Sequence, residues 1–296
     1  MRALLAGLLL LAASLSPAAA QGTIRVAFAG SMGVVMDRFI GPEFAKANDA
    51  TYQGIGQPAY ALARLLAAKK LQADVFITIT PGPAKLLETA GLVSQAVPVA
   101  STSMVIAYSP KSKYAAAFAG STPWWKVLET PGLRFGRTDP ATDPQGQNII
   151  FAFLLAERYY HQPDLVGKIL GSYENPAQIF TEPSLLSRLE AGQIDASSGY
   201  ESAVISDHLS FVALPDEINL SNPAMVPGWY SKVHFSIMRA GKEETLSTQP
   251  LVFYASVLKN APNAALAQKF VDFLASPAGQ KAFRENGYGV PKGGSV

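Results

Sequence analysis

Short apolar runs bounded by Gly, Ser and Pro alternate along this chain with segments whose apolar residues recur at helical spacing. The first run, Thr23 to Ala29, stops at Gly30-Ser31 and predicts a strand. Val34, Val35, Phe39, Ile40 and Phe44 then repeat on one helical face. A Gly-rich piece, Gln53 to Gln57, precedes a second helix over Pro58 to Lys70, with Leu62, Leu65 and Leu66 on one side. Next come a strand over Ala73 to Thr78, a turn at Thr80-Pro81-Gly82-Pro83 and a helix over Ala84 to Ala90 closed by Gly91. This alternation predicts a parallel sheet covered by helices.

A second series follows. Met104 to Tyr108 reads as a strand and Trp124 to Glu129 as a short helix ended by Pro131-Gly132. Leu133 to Gly136 is a strand, Ile149 to Tyr160 a long helix, and Ile179-Phe180 part of a short strand. Pro183 to Ala191 is a helix stopped by Gly192, and Ile194 to Gly199 a strand ending at Tyr200. The tail returns to helix over Asn263 to Leu274 and Pro277 to Glu285.

The N-terminus changes how the rest is read. Arg2, the apolar run Leu4 to Leu11 and Ala18-Ala19-Ala20 before Gln21 have the form of a cleaved signal peptide, so residues 1–20 are set aside as a leader. The run is shorter than the ~20 residues needed to span a bilayer. With no cysteine in the chain, disulfides, thiolate metal sites, Cys nucleophiles and a lipidated N-terminal Cys are all excluded. A soluble, exported, periplasmic protein is expected. There are 24 basic and 22 acidic residues, one of the basic ones in the leader. That near-balance argues against a nucleic-acid partner, which leaves a basic footprint.

Chemistry concentrates at strand-to-helix junctions, where open α/β sheets bind ligands. Arg137 to Asn148, RTDPATDPQGQN, is a turn rich in Asp, Pro and Gly that opens into a helix. Unpaired amides and the dipole at such a start suit an anion. Here Gly146 permits close backbone approach, and Asp143 is an N-cap, a metal contact or a hinge group. At Gly30-Ser31, Ser31 is a helix cap or an outward donor. Gly54-Ile55-Gly56-Gln57-Pro58-Ala59 matches G-x-G-x-x-A, but a Gly-lined turn bringing backbone or Gln57 to an anion reads better than a dinucleotide site. Thr78-Ile79-Thr80 is a strand end carrying hydroxyls and an amide, or a simple turn before Pro81. Tyr200 ends a strand with a hydroxyl to donate, or packs.

Enzyme signatures are missing. His161, His208 and His234 have no H-E-x-x-H spacing, there is no G-x-S-x-G elbow, and carboxylates such as Glu182, Asp195 and Glu201 lack a nucleophile to serve. Neither catalysis nor a cofactor is expected.

The segments VAFAGSMGVVMDRFIGPEF, ADVFIT, MVIAYSPKSKY, GRTDPATDPQG, LLAERYY, LLSRLEAGQIDA, GYESAV, LPDEINLS and APNAALAQKFVDFLASPAGQKAF carry a family resemblance over nearly all of the chain after the leader. The chain resembles the exported substrate-binding proteins of molybdate/tungstate ABC transporters, especially their tungstate-preferring archaeal-type branch. The resemblance implies a periplasmic-binding-protein-like fold of type II, with two α/β lobes joined by a hinge and an oxyanion closed between them. Lobe 1 would be discontinuous, residues 21–102 and 231–296, with lobe 2 at 103–230. It implies a monomer that delivers molybdate or tungstate to an ABC permease in the inner membrane and holds no free metal cation.

Carried over by position, Ser31, after Gly30, would donate its hydroxyl and amide, Gln57 would replace a family Ser, and Ile79, beside the Thr78 hydroxyl, and Gln145 would each offer an amide. Glu182 would mark another amide at a helix start, and Tyr200 would donate its hydroxyl. Ser101-Thr102 stand where the branch often has Arg-Asn. Gly199 stands where the tungstate branch carries a metal-coordinating Glu, leaving Asp143 alone of a carboxylate pair. A tetrahedral anion held by hydrogen bonds is therefore expected. Another small anion, an organic solute, or a sensor or enzyme on the same scaffold are the alternatives.

Overall fold

In β1 (Thr23–Ala29), Ile24, Val26 and Phe28 face one side while Ala27 faces the other, and both sides are buried. In this computed structural model, which describes residues 22–239 and 241–296, β1 pairs in parallel with β2 (Thr51–Gln57) and β3 (Val75–Ile79). The leader expected over residues 1–20 lies outside the described residues. On one face Phe76 and Ala27 meet Leu62 and Leu66 of the helix Ala59–Ala67. On the other, Phe28 joins a cluster with Phe44 and Phe270, whose rings pack edge to face at 4.8 Å.

The first sheet is mixed rather than parallel. Its order is β2-β1-β3-β11-β4, with β4 at Val97–Ser101 and β11 at Val252–Val257, and β11 runs antiparallel to both neighbours. β4 passes through Thr102-Ser103 into β5 (Met104–Tyr108) of a second sheet. That sheet has the order β6-β7-β5-β8, from Phe135–Gly136, Ala196–Tyr200 and Ser210–Ala213 around β5. It too is mixed, since only β6 and β7 are parallel. A hairpin, β9 (His234–Arg239) with β10 (Lys242–Ser247), packs Phe235 on Phe151 and Tyr173. Backbone bonds Thr102 N–H to Leu251 O and Leu251 N–H to Leu220 O tie the segments near 102, 220 and 251 together between the sheets. The result is two α/β lobes with a cleft between them.

Several expectations are corrected. Gln53–Gln57 is part of edge strand β2, not a loop. Gly56 lies opposite Phe28, and a Cβ there would sit 2.8 Å from the Phe28 ring, so the glycines make room for side chains rather than for a ligand. Phe39 is 45% exposed because Met36–Ile40 forms a π turn, which rotates the helical face. Ile179 makes a single bridge to Arg137 instead of a strand. Strands β4 and β8 to β11 were not expected. β11 is apolar at nearly every position and buried on both faces, so it shows no alternation.

β7 is anchored at its start by Asp195, whose carboxylate accepts from Arg134 N (2.9 Å), Arg134 Nε (2.9 Å) and Ser112 Oγ (2.8 Å). Burial pushes this carboxyl up, but those hydrogen bonds and the guanidinium together hold it below the usual carboxylate range. Its stabilising contribution is therefore present above the unfolded-state pKa and lost as pH falls through the lowered folded value. Asp195→Ala is expected to lower stability by about 2–3 kcal/mol in urea unfolding at pH 7, through loss of partners for buried donors.

Candidate functional site

Two sets of loop tips meet in a small pocket of about 80 Å3. A single water needs about 10–15 Å3 on this measure, and drug-sized ligands occupy about 300–1,000 Å3. The pocket thus admits one compact group. From the first sheet it is lined by Ala29, Gly30 and Ser31 at the end of β1, Pro58 and Ala59 at a helix start, and Ile79 at the end of β3. From the second it is lined by Asp143 and Pro144, at the start of the helix Pro144–Tyr160, and by Tyr200 at the end of β7.

Five of the residues singled out from sequence therefore converge: Gly30, Ser31, Ile79, Asp143 and Tyr200. Three, Gln57, Thr78 and Gln145, are not among the lining residues. Gln57 ends β2 exposed, one residue before the lining Pro58, with its backbone against Gly30. Thr78 is fully buried, and its hydroxyl turns to the backbone carbonyls of Ile79 (3.0 Å) and Thr80 (3.3 Å), because its side chain falls on the sheet's interior. The Gln145 amide is taken by the cap, donating to Asp143 Oδ1 at 2.8 Å. Glu182 opens the helix Glu182–Ala191.

Thr80, next to Ile79, has φ +71°, an unusual conformation for a β-branched residue. Backbone strain of this kind gathers at functional sites. Its N–H donates to Val252 O at 3.0 Å, which holds the turn.

A second layer fixes the Tyr200 hydroxyl. Asn148 Nδ2 donates to its oxygen at 3.1 Å, and Ser198 Oγ donates to Gln145 Oε1 at 3.1 Å. Gln145 and Asn148 are three apart on a helix, and Ser198 and Tyr200 two apart on a strand, so the periodicities match face to face. Asn148 was not picked out from sequence. Its signal is a buried amide at the head of an otherwise apolar helix.

Among the described residues that line the pocket there is no cationic side chain, and Asp143 is the charged one. Burial pushes the Asp143 carboxyl up, against the lowering effect of the Gln145 N–H, and the neighbouring Asp139 pushes it further up. A wider cavity of about 620 Å3 adjoins the pocket, sharing Pro58 and Pro144 with it, with Tyr60, Arg64 and Gln147 among its lining. Among the described residues, no group of three or more His, Asp or Glu side chains is placed to hold a metal ion, and no helix is long and apolar enough to cross a membrane.

The model of the bacterial extracellular solute-binding proteins matches residues 24–289. The chain belongs to that family. It is 33% identical over 207 residues to the molybdate/tungstate-binding protein WtpA of Pyrococcus abyssi, an alignment covering 63% of this chain and 59% of that protein. The WtpA of Thermococcus kodakarensis gives the same identity, with 58% of its length covered. The chain thus spans a little under three-fifths of the curated relatives' length. An uncharacterized solute-binding protein of Halobacterium salinarum is 29% identical over 92% of this chain and 86% of its own. Among solved structures, the Azotobacter vinelandii periplasmic molybdate-binding protein matches with a TM-score of 0.65 at 14% identity, over 91% of this chain and all of its own. The substrate-binding domain of a Clostridium difficile molybdenum transporter matches at 0.59 and 18%. These likenesses show a periplasmic-binding-protein fold.

Proposed function

We propose that this protein captures a tetrahedral oxyanion, molybdate or tungstate, between its lobes and delivers it to an ABC permease. The observation that carries this reading is the small pocket built from Gly30, Ser31 and Ile79 on one side and Asp143 and Tyr200 on the other, with no cationic side chain among its described lining residues. Ser31 and Tyr200 donate hydroxyls, and the Gly30 to Ser31 turn and Ile79 present backbone. A buried donor left unpaired by the wrong ligand costs about 1–3 kcal/mol, so cavity size and donor count set selectivity. The names of the WtpA relatives support the choice of anion.

Capture closes the lobes by a hinge motion at the crossing segments near residues 102, 220 and 251. The lobes comprise residues 21–102 with the C-terminal part, and 103–230. The packing of Phe235 on Phe151 and Tyr173 supports one change to the expected bounds, with the β9–β10 hairpin riding with the second lobe rather than with lobe 1 and the return crossing near Leu251. The protein works as an exported monomer.

The wider adjoining cavity favours one other reading, an oxyanion carried on a small organic group. A thermal-shift panel of molybdate, tungstate, sulfate, phosphate and a sugar phosphate separates the two, since a ligand at 100 times its Kd stabilises by about 2.7 kcal/mol. Molybdate and tungstate are expected to give the largest rise in Tm. A rise with the sugar phosphate alone would move the assignment to an organic solute, and no rise with any of the five would remove the oxyanion reading.

A further inference from the structure

The last residues of the chain form a strap that touches both the anion pocket and the crossing segments. Tyr288 is buried between Phe253 and Phe283, at ring distances of 5.3 and 5.4 Å. Its hydroxyl donates to the backbone carbonyl of Ser31 at 3.1 Å. One residue on, Gly289 exchanges two backbone bonds with Ser101 (2.9 and 3.0 Å), and Ser101 Oγ donates to Val290 O at 2.7 Å. Lys292 Nζ then donates to Ser221 Oγ at 3.3 Å, and Val296 pairs with Ala96. Ser101 leads into the first crossing and Ser221 lies at the second.

Gly30–Met32 is the 3-10 first turn of a helical stretch that runs on without a break to Ala47, and no side chain caps it. An uncapped first turn is the part of a helix least held by its own hydrogen bonds, so contacts from outside decide how it lies. The Tyr288 hydroxyl is a bond from outside that sets how the Ser31 peptide lies, from a ring that packing holds still. We propose that Tyr288 is a positioning residue for the anion site: it orients the Gly30–Ser31 turn through the Ser31 carbonyl, and the strap fixes that turn to the segments on which the lobes move. This rests on the oxyanion reading of the pocket.

Titration calorimetry of the full exported chain with molybdate, tungstate and sulfate, comparing wild type, Tyr288→Phe and Ser101→Ala, tests it. Tyr288→Phe is expected to bind about fivefold more weakly, the effect of losing one hydrogen bond. Ser101→Ala removes a strap bond of the same kind but leaves Ser31 held, and is expected to keep affinity within about twofold. A merely structural role for Tyr288 would lower the Tm of the free protein and leave affinity alone. Equal affinities for Tyr288→Phe and wild type, or an equal loss in both variants, would overturn the positioning role while leaving the oxyanion site standing. Failure of the wild type to bind any of the three anions would bring down both.

Discussion

Gly146→Ala is expected to abolish tight anion binding and to destabilise the protein by about 2–3 kcal/mol, the range for forcing atoms into a packed interior. A Cβ at Gly146 would lie 2.4 Å from Thr138 O, 2.7 Å from Pro140 N and 2.8 Å from Asp139 C. All three are backbone atoms, so no side chain can swing aside. The turn that carries Asp143 would have to lift off the first turn of the helix, taking the pocket wall with it. Gly33→Ala is the matched control: it has αR backbone, and nothing lies within 4 Å of the added carbon. It is expected to be neutral or to stabilise by up to about 1 kcal/mol. Urea unfolding and calorimetry of the two variants decide the matter. Comparable stability and affinity for Gly146→Ala and wild type would show that the turn is not held as described.

The second large effect is on pH dependence. Asp143 is the charged group among the described residues lining the pocket, and its carboxyl is already pushed up by burial. A bound dianion pushes it up further, so capture takes up a proton. By linkage, affinity is highest where Asp143 is protonated and falls as pH rises through its raised range. Folding stability follows the same sign: the folded state holds this proton longer than the unfolded chain, so the free protein loses stability as pH rises through that window. Asp143→Asn keeps the helix cap, since Asn and Asp cap equally well. The variant is expected to bind at least about tenfold more tightly at pH 8, because a unit charge at ~4 Å is worth several kcal/mol at the dielectric of a protein surface. Its affinity should be flat with pH. Calorimetry from pH 5 to 8 reads both. Weaker binding by Asp143→Asn would instead mark the carboxylate as a direct ligand of the anion's metal atom, and would favour six-coordinate binding.

The legible part of the site was its turn chemistry. Gly30-Ser31 after an apolar strand, Asp143-Pro144 before a helix and Tyr200 at a strand end are local patterns, and all three reach the pocket. What failed were roles that depend on the direction of a group. Thr78 points along the sheet interior, and the Gln145 amide is consumed by its own cap. Asn148 escaped notice because an amide in a helix has no motif. Its meaning comes from Tyr200, 52 residues away.

By itself, the sequence determined the short-range elements and the junction residues, since cap, turn and periodicity preferences act over a few positions. Tertiary structure alone decided that β11 inserts between β3 and β4, that both sheets are mixed, and that the chain's last residues return to Ser31 and the crossing segments. Those pairings join residues far apart in the chain, 71 positions for Lys292 and Ser221 and 257 for Tyr288 and Ser31. They are selected by shared burial and hydrogen bonding among whole elements, which no local window of the chain contains.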